Sequence, residues 1–369
     1  MKEKNPWIFV SIFPNLSFRD KIETKYAMIV SELDERLKYL QSKNEAVESL
    51  TKCFIDTRLK EYKPAFLLIH NKLKTNRERH NAVVSFRNIV ALSIILDGWL
   101  NMILSDNGNV FTTLYSDYYD LFPLSGYADK YFFIQTPAVS NTVSNFITKY
   151  QRDYSLPDTH HFHLNKDDDM FNSLINVWED YFIRRNKIIL YNSLFRSLQM
   201  AYSACKMPTD NFSSFYDYGT KIGLWISAFE ILFHPGANSH VGYQQIVAEL
   251  SQYQFYDKKL NDSVYLIDKK TKTNIIGKVY KDIYDARNEF FHGNPVNKNN
   301  LFTFDNKKSP ALTKAAPVVF FIALQIFLQK NNLLKKKIHN NFSNALISDF
   351  KRNHIEDIFI KFNKILKAT

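Results

Sequence analysis

The sequence predicts a mainly α protein, on three observations. Its 369 residues include only 9 glycines and 11 prolines, too few for the frequent positive or fixed φ angles of a turn-dense β architecture. Apolar residues recur at spacings of three and four through several long stretches. The strongest breakers, such as Pro235-Gly236 and Gly293-Asn294-Pro295, fall between those stretches.

Taken in chain order, Trp7 to Phe13 reads as a short strand. From about Arg19 to Leu50 the spacing of Val30, Leu33, Leu37, Leu40, Asn44 and Val47 predicts one helix. Its seam resembles a coiled coil about three heptads long, with Asn44 where a polar residue can set register; the alternative is an ordinary helix packed on its own domain. Further helices are expected from about Asn81 to Leu104 and from about Met170 to Cys205. Between them, 107–165 carries Gly108, Pro123, Gly126, Pro137 and Pro157 and reads as loop with short strands or small helices.

Met207-Pro208-Thr209-Asp210 marks a soft boundary. It divides the chain into an N-terminal region, 1–208, and a C-terminal helical domain, 209–369. The second region should hold helices at about Ser214 to Phe233, Tyr243 to Tyr256, Asn274 to His292, Ala311 to Lys330 and Asn341 to Lys367, with polar loop from Lys258 to Thr273. Five helices of this length can close a core by themselves.

Composition narrows the function classes. At 45% hydrophobic and 15% aromatic the chain is too apolar to be disordered. Two cysteines, Cys53 and Cys205, make no disulfide framework and lack metal-ligand spacing, which favours a reducing, cytoplasmic setting. Met1-Lys2-Glu3-Lys4-Asn5-Pro6 is not the start of a secretory signal. The apolar run from Ala315 to Leu328 falls short of the roughly 20 residues a bilayer needs, and Asp97 and Asn101 interrupt the run from Ile89 to Leu104. Both read as buried helices, and no membrane partner is expected.

A net charge of +11 can draw a chain toward polyanions. The basic residues are 36 Lys and 12 Arg, and eight of them, including Lys335, Lys336, Lys337, Lys351 and Arg352, face three acids in the last 39 residues. The alternative to a polyanion surface there is a solvated helix face. His160, His161 and His163, followed by Asp167, Asp168 and Asp169, carry donors that suit a divalent metal. The competing reading is a loop whose aspartates cap the helix starting near Met170, and no metal or other cofactor is expected. No phosphate-cradling glycine loop, nucleophile elbow or helical His-Glu-x-x-His occurs.

The stretch from Tyr280 to Gly293 is the most informative. Ile276, Val279, Tyr280, Ile283, Tyr284, Phe290 and Phe291 recur at helical spacing, and Gly293 suits the left-handed position past a helix end. His292 then sits at a C-terminus whose unpaired carbonyls attract an imidazolium, a place suited to acid-base work. Arg287 lies about 140° around the helix and roughly 7.5 Å along it from His292, so the two side chains diverge. Asn288 shares a face with His292 and could orient its ring. Arg287 is the only arginine between Arg196 and Arg352, in a lysine-dominated stretch; a bidentate fork for phosphate or carboxylate is a physical reason for that choice. A capping histidine and an arginine bound to Asp285 or Glu289 is the structural alternative. Glu230 interrupts an apolar stretch and needs a cation such as Arg287. Trp225, Phe229, Phe290 and Phe291 could stack on bases, although helical spacing marks them first as core residues.

Arg287-Asn288-x-x-x-His292-Gly293 resembles the signature of HEPN domains, in which an arginine is followed after four to six residues by a histidine. The neighbourhood resembles the Apea-like branch, where a helix like Gly223-Leu224-Trp225-Ile226-Ser227-Ala228-Phe229-Glu230-Ile231-Leu232-Phe233 precedes a Tyr-x-x-Arg helix ending in His-Gly. The likeness spans about Asp217 to Leu328. It implies a HEPN-like bundle acting as a metal-independent RNA endonuclease in prokaryotic antiphage defence or a toxin system. RNA would be the substrate and a homodimer the working form, with an antitoxin or phage-derived trigger as a further partner. Arg287, His292 and Asn288 would form the site, with no cofactor. A catalytically silent module that binds RNA, a nucleotide or a protein as an adaptor is the alternative.

Overall fold

The computed structural model describes residues 5–16, 21–52, 54–55, 63–73, 76–104, 114–122, 125–127, 131–135, 140–142, 150–151, 164, 168–208, 214–236, 240–268, 270–334 and 342–367. The protein is mainly helical, with a four-stranded sheet. Its compact units interleave along the chain. The first comprises 1–90, 117–166 and 178–186; the second comprises 91–116, 167–177 and 187–369. Parts of the region before residue 208 thus belong to the same unit as the C-terminal helices.

In the first unit, β1 (Trp7–Phe13), β2 (Ile22–Glu23), β3 (Ala27–Val30) and β5 (Ala65–His70) form an antiparallel sheet in the order β1-β5-β3-β2. β1 is the strand expected. The single helix expected from Arg19 to Leu50 is not formed. Its described part contains β2, β3, α1 (Glu35–Lys43) and α2 (Glu45–Thr51), and Leu33 of the supposed seam is 71% exposed. β3 is buried at every residue, so it shows no alternation that would separate strand from helix. Asp34 starts α1 by accepting from the Arg36 N–H at 2.9 Å. Asn44 ends it in an extended conformation and begins α2 instead of setting a seam's register.

One face of the sheet carries Phe9, Ile12, Met28, Val30, Phe66 and Leu68, and Leu37, Val47 and Leu50 from α1 and α2 pack in the same core. β4 (Phe54–Ile55) pairs in parallel with β9 (Tyr150–Gln151), and β6 (Ser125–Tyr127), β7 (Tyr131–Gln135) and β8 (Ser140–Thr142) form a separate three-stranded sheet. β6 to β9 fall in 107–165, where short strands were expected; β4 lies outside it.

The second unit is helical. α3 (Asn76–Leu104) contributes residues to both units. The helix expected from Met170 to Cys205 is two, α4 (Asp169–Trp178) and α5 (Ile189–Ala204). A π turn over Glu179–Ile183 and a left-handed Arg185 at φ 62° separate them, without the glycine or proline that announces a break. Asp168 caps α4, accepting from the Met170 and Phe171 N–H groups at 2.8 and 3.0 Å.

α6 (Phe215–Leu232), α9 (Ile275–Phe291), α10 (Leu312–Lys330) and α11 (Phe342–Lys367) follow the sequence expectation closely, whereas α7 (Tyr243–Leu250) stops six residues short of the expected Tyr256, with Ser251 as its C-cap. The expected loop from Lys258 to Thr273 also contains α8 (Lys258–Asn261) and a hairpin of β10 (Tyr265–Leu266) and β11 (Lys272–Thr273). α3 and α10 are long and apolar enough to cross a membrane on length and composition alone, but most of each such stretch is buried within protein. α6, α9 and α10 share a core in which Phe229 meets Tyr280 at 5.1 Å and Phe320 at 5.4 Å between ring centroids. Trp225 joins it against Phe320 at 5.4 Å.

Candidate active site

The end of α9 is built as its sequence anticipates. Asn274 caps the start, accepting from the Gly277 N–H at 3.0 Å. Ile275, Ile276, Val279, Tyr280, Ile283 and Ala286 are buried and hold the helix in the bundle. At the other end the His292 N–H donates to the Asn288 carbonyl at 2.9 Å and the Asn294 N–H donates to the Glu289 carbonyl at 3.1 Å. Gly293 takes φ 69°. This is the closure that a left-handed residue beyond a helix allows, and it leaves His292 as the C-cap with its side chain exposed.

Arg287 is partly buried, and its position is set by two neighbours on its own helix. Its Nη1 donates to Asn288 Oδ1 at 3.0 Å, and its guanidinium carbon lies 5.3 Å from the centroid of the Phe291 ring. A planar cation held by a hydrogen bond at one edge and an aromatic face is oriented with most of its donors still uncommitted. The side chain of Asn288 therefore steadies Arg287, whereas the sequence reading had it orienting the His292 ring; its link to His292 runs through the backbone. Asp285, one of the anticipated partners of Arg287, is taken by Lys281 at 2.6 Å.

Glu230 and Tyr280 complete the surroundings from inside the bundle. Burial pushes the Glu230 carboxyl up from the ordinary glutamate range, only partly offset by the attraction of Arg287. Burial also drives the Tyr280 phenol well above its usual value, reinforced by Glu230, and the Tyr280 hydroxyl has no hydrogen-bond partner among the described residues. On the other side of α9, burial together with Asp305 and Asp285 raises the Glu289 carboxyl.

Packing against α6 decides which aromatic side chains stay inside. Trp225 and Phe229 have no exposed surface. Phe290 lies over Gly219, and Phe291 lies over Gly223. Phe229 of α6 meets Tyr280 of α9 at one end and Gly219 meets Phe290 at the other, so the two helices run in opposite directions. Phe291 is nevertheless 61% exposed, a distinction that periodicity does not make.

Other sequence candidates are placed differently. His160, His161, His163 and Asp167 lie outside the described residues, Asp168 caps α4 and binds Lys351, and no cluster suited to a metal occurs among the described residues. Lys335, Lys336 and Lys337 are likewise outside them. Lys351 is no open polyanion contact: it bridges Asp97, at 2.9 Å, and Asp168. Arg352 stacks on Tyr256 at 3.5 Å.

This chain matches no protein-family model, no curated protein and no solved structure.

Proposed function

We propose that this protein is a metal-independent endoribonuclease of the HEPN type, serving prokaryotic antiphage defence or a toxin system. The observation that supports it best is the pairing at the end of α9 of an exposed His292 with an Arg287 oriented by Asn288 and Phe291. An imidazole can supply the proton transfers, and a guanidinium the charge stabilisation, of RNA transesterification. One His292 takes the proton of a ribose 2′-hydroxyl, whose oxygen attacks the adjacent phosphorus as the bond to the 5′-oxygen breaks. The partner subunit's His292 gives a proton to that leaving oxygen, while Arg287 stabilises charge on the phosphoryl oxygens. Asn288 is a positioning residue for Arg287. Because the two side chains diverge on one helix, a homodimer supplies the opposite wall of the cleft.

The products are a 2′,3′-cyclic phosphate and a 5′-hydroxyl end. Incubation of the full chain with total RNA and with bulk tRNA in chelator tests the reading. Cleavage is expected, and His292→Ala and Arg287→Ala should each abolish it with the fold retained. Undiminished chelator-resistant activity in His292→Ala contradicts it.

One observation favours a catalytically silent adaptor instead. Glu289 and Asp305 place acids close to the motif beyond Asp285, which Lys281 pairs, and negative potential opposes a polyanion. A wild type that leaves both RNA pools intact while binding a protein partner decides for that reading.

A further inference from the structure

Four aromatic residues of α6 and α9 are candidates for stacking on bases, and the fold separates them. Trp225 and Phe229 are sealed in the core, and Phe290 is partly buried over Gly219. Phe291, the last residue of α9, is left 61% exposed between the arginine and the histidine of the motif.

The ring is open but held. A Cβ placed on Gly223 would stand 2.7 Å from its Cε2 and Cζ atoms, so the ring edge rests directly on the backbone of α6. Arg287 sits 5.3 Å from its centroid. An apolar ring fixed in position, open to solvent and touching a phosphate-seeking guanidinium is what a stacking platform for single-stranded nucleic acid requires. Tyr216, 83% exposed, lies on the same face of α6 two turns before Gly223, roughly 10 Å along the axis.

Resting on the nuclease reading, we propose that Phe291 is a base-stacking residue of the active site. It holds the base next to the scissile phosphate of single-stranded RNA while Arg287 engages that phosphate. Stacking on one ring tolerates every base, so this contact selects unpaired RNA without selecting sequence.

The test uses the full chain carrying His292→Ala, so that RNA is bound and not cut, with a fluorescein-labelled single-stranded 12-mer read by anisotropy. Loss of a stacked base weakens binding by about five-fold or more. Phe291→Ala and Phe291→Leu are expected to show that loss, and Phe291→Trp to retain affinity, with sedimentation unchanged in all three. Unchanged RNA affinity in Phe291→Ala, alongside weakened binding in Arg287→Ala, overturns the stacking role and leaves the nuclease reading standing. A shift from dimer to monomer in Phe291→Ala assigns the ring to a contact between two copies and also overturns it. A His292→Ala parent that binds no RNA overturns the nuclease reading and the stacking role together.

Discussion

The side chain of Phe290 fills the space that a Cβ on Gly219 would occupy, with Phe290 Cδ1 only 2.6 Å from that point and Cγ 2.8 Å. The antiparallel crossing of α6 and α9 depends on this contact, because the ring meets backbone rather than a side chain that could turn away. Gly219→Ala should therefore displace the end of α9 despite alanine's better helix propensity. Overpacking of this kind costs about 1–3 kcal/mol, to be read as a lowered midpoint in urea denaturation. A midpoint equal to or above the wild type's shows that Phe290 finds another rotamer at no cost.

Lys351 joins α11 to two other segments of its unit through Asp97 and Asp168. Burial pulls the Lys351 ammonium down, but the two carboxylates outweigh it and the net shift is upward. Lys351→Met keeps the aliphatic stem and leaves both aspartates without their cation. Because the bridge is only partly buried, a loss of about 1–2 kcal/mol is expected, between the values for exposed and for buried pairs. A loss below about 0.5 kcal/mol, measured by chemical denaturation, places the bridge among ordinary surface pairs.

Glu230 gives a pH signature. Its folded-state pKa is raised, chiefly by burial, so the folded protein holds its proton more tightly than the unfolded chain does. The stability associated with that proton is fully present below the unfolded value near 4.5 and is lost as pH rises through the folded value. Glu230→Gln removes the penalty of ionising in place. The variant should be more stable than the wild type at pH 8, with the gap closing as pH falls toward 4.5. A gap independent of pH, or one that widens on acidification, shows that attraction to Arg287 prevails over burial.

The end of α9 was legible in the sequence because local rules govern it. Asn274 as cap, the apolar stripe from Ile276 to Phe291 and a left-handed Gly293 are properties of one helix and its ends. The four-stranded sheet was not legible, for a physical reason. β3 and β5 are apolar on both faces, so neither shows the period of two, and the spacing of Val30, Leu33 and Leu37 imitates a helix across a strand, a turn and α1. The break at Arg185 was hidden because a non-glycine residue adopts the left-handed conformation there. At the candidate site, residue types were readable and side-chain directions were not. Whether Asn288 turns to His292 or to Arg287, and which of two adjacent phenylalanines stays exposed, depends on rotamer and on the glycines of α6.

The most direct test of the account is cleavage of one RNA oligonucleotide in chelator, compared with the same oligonucleotide carrying a single 2′-deoxy nucleotide at the mapped cut position. The account predicts that wild-type protein cuts the first, leaving a 2′,3′-cyclic phosphate and a 5′-hydroxyl, spares the second, and loses the activity on His292→Ala. Equal cleavage of both oligonucleotides, or undiminished cleavage by His292→Ala, contradicts it.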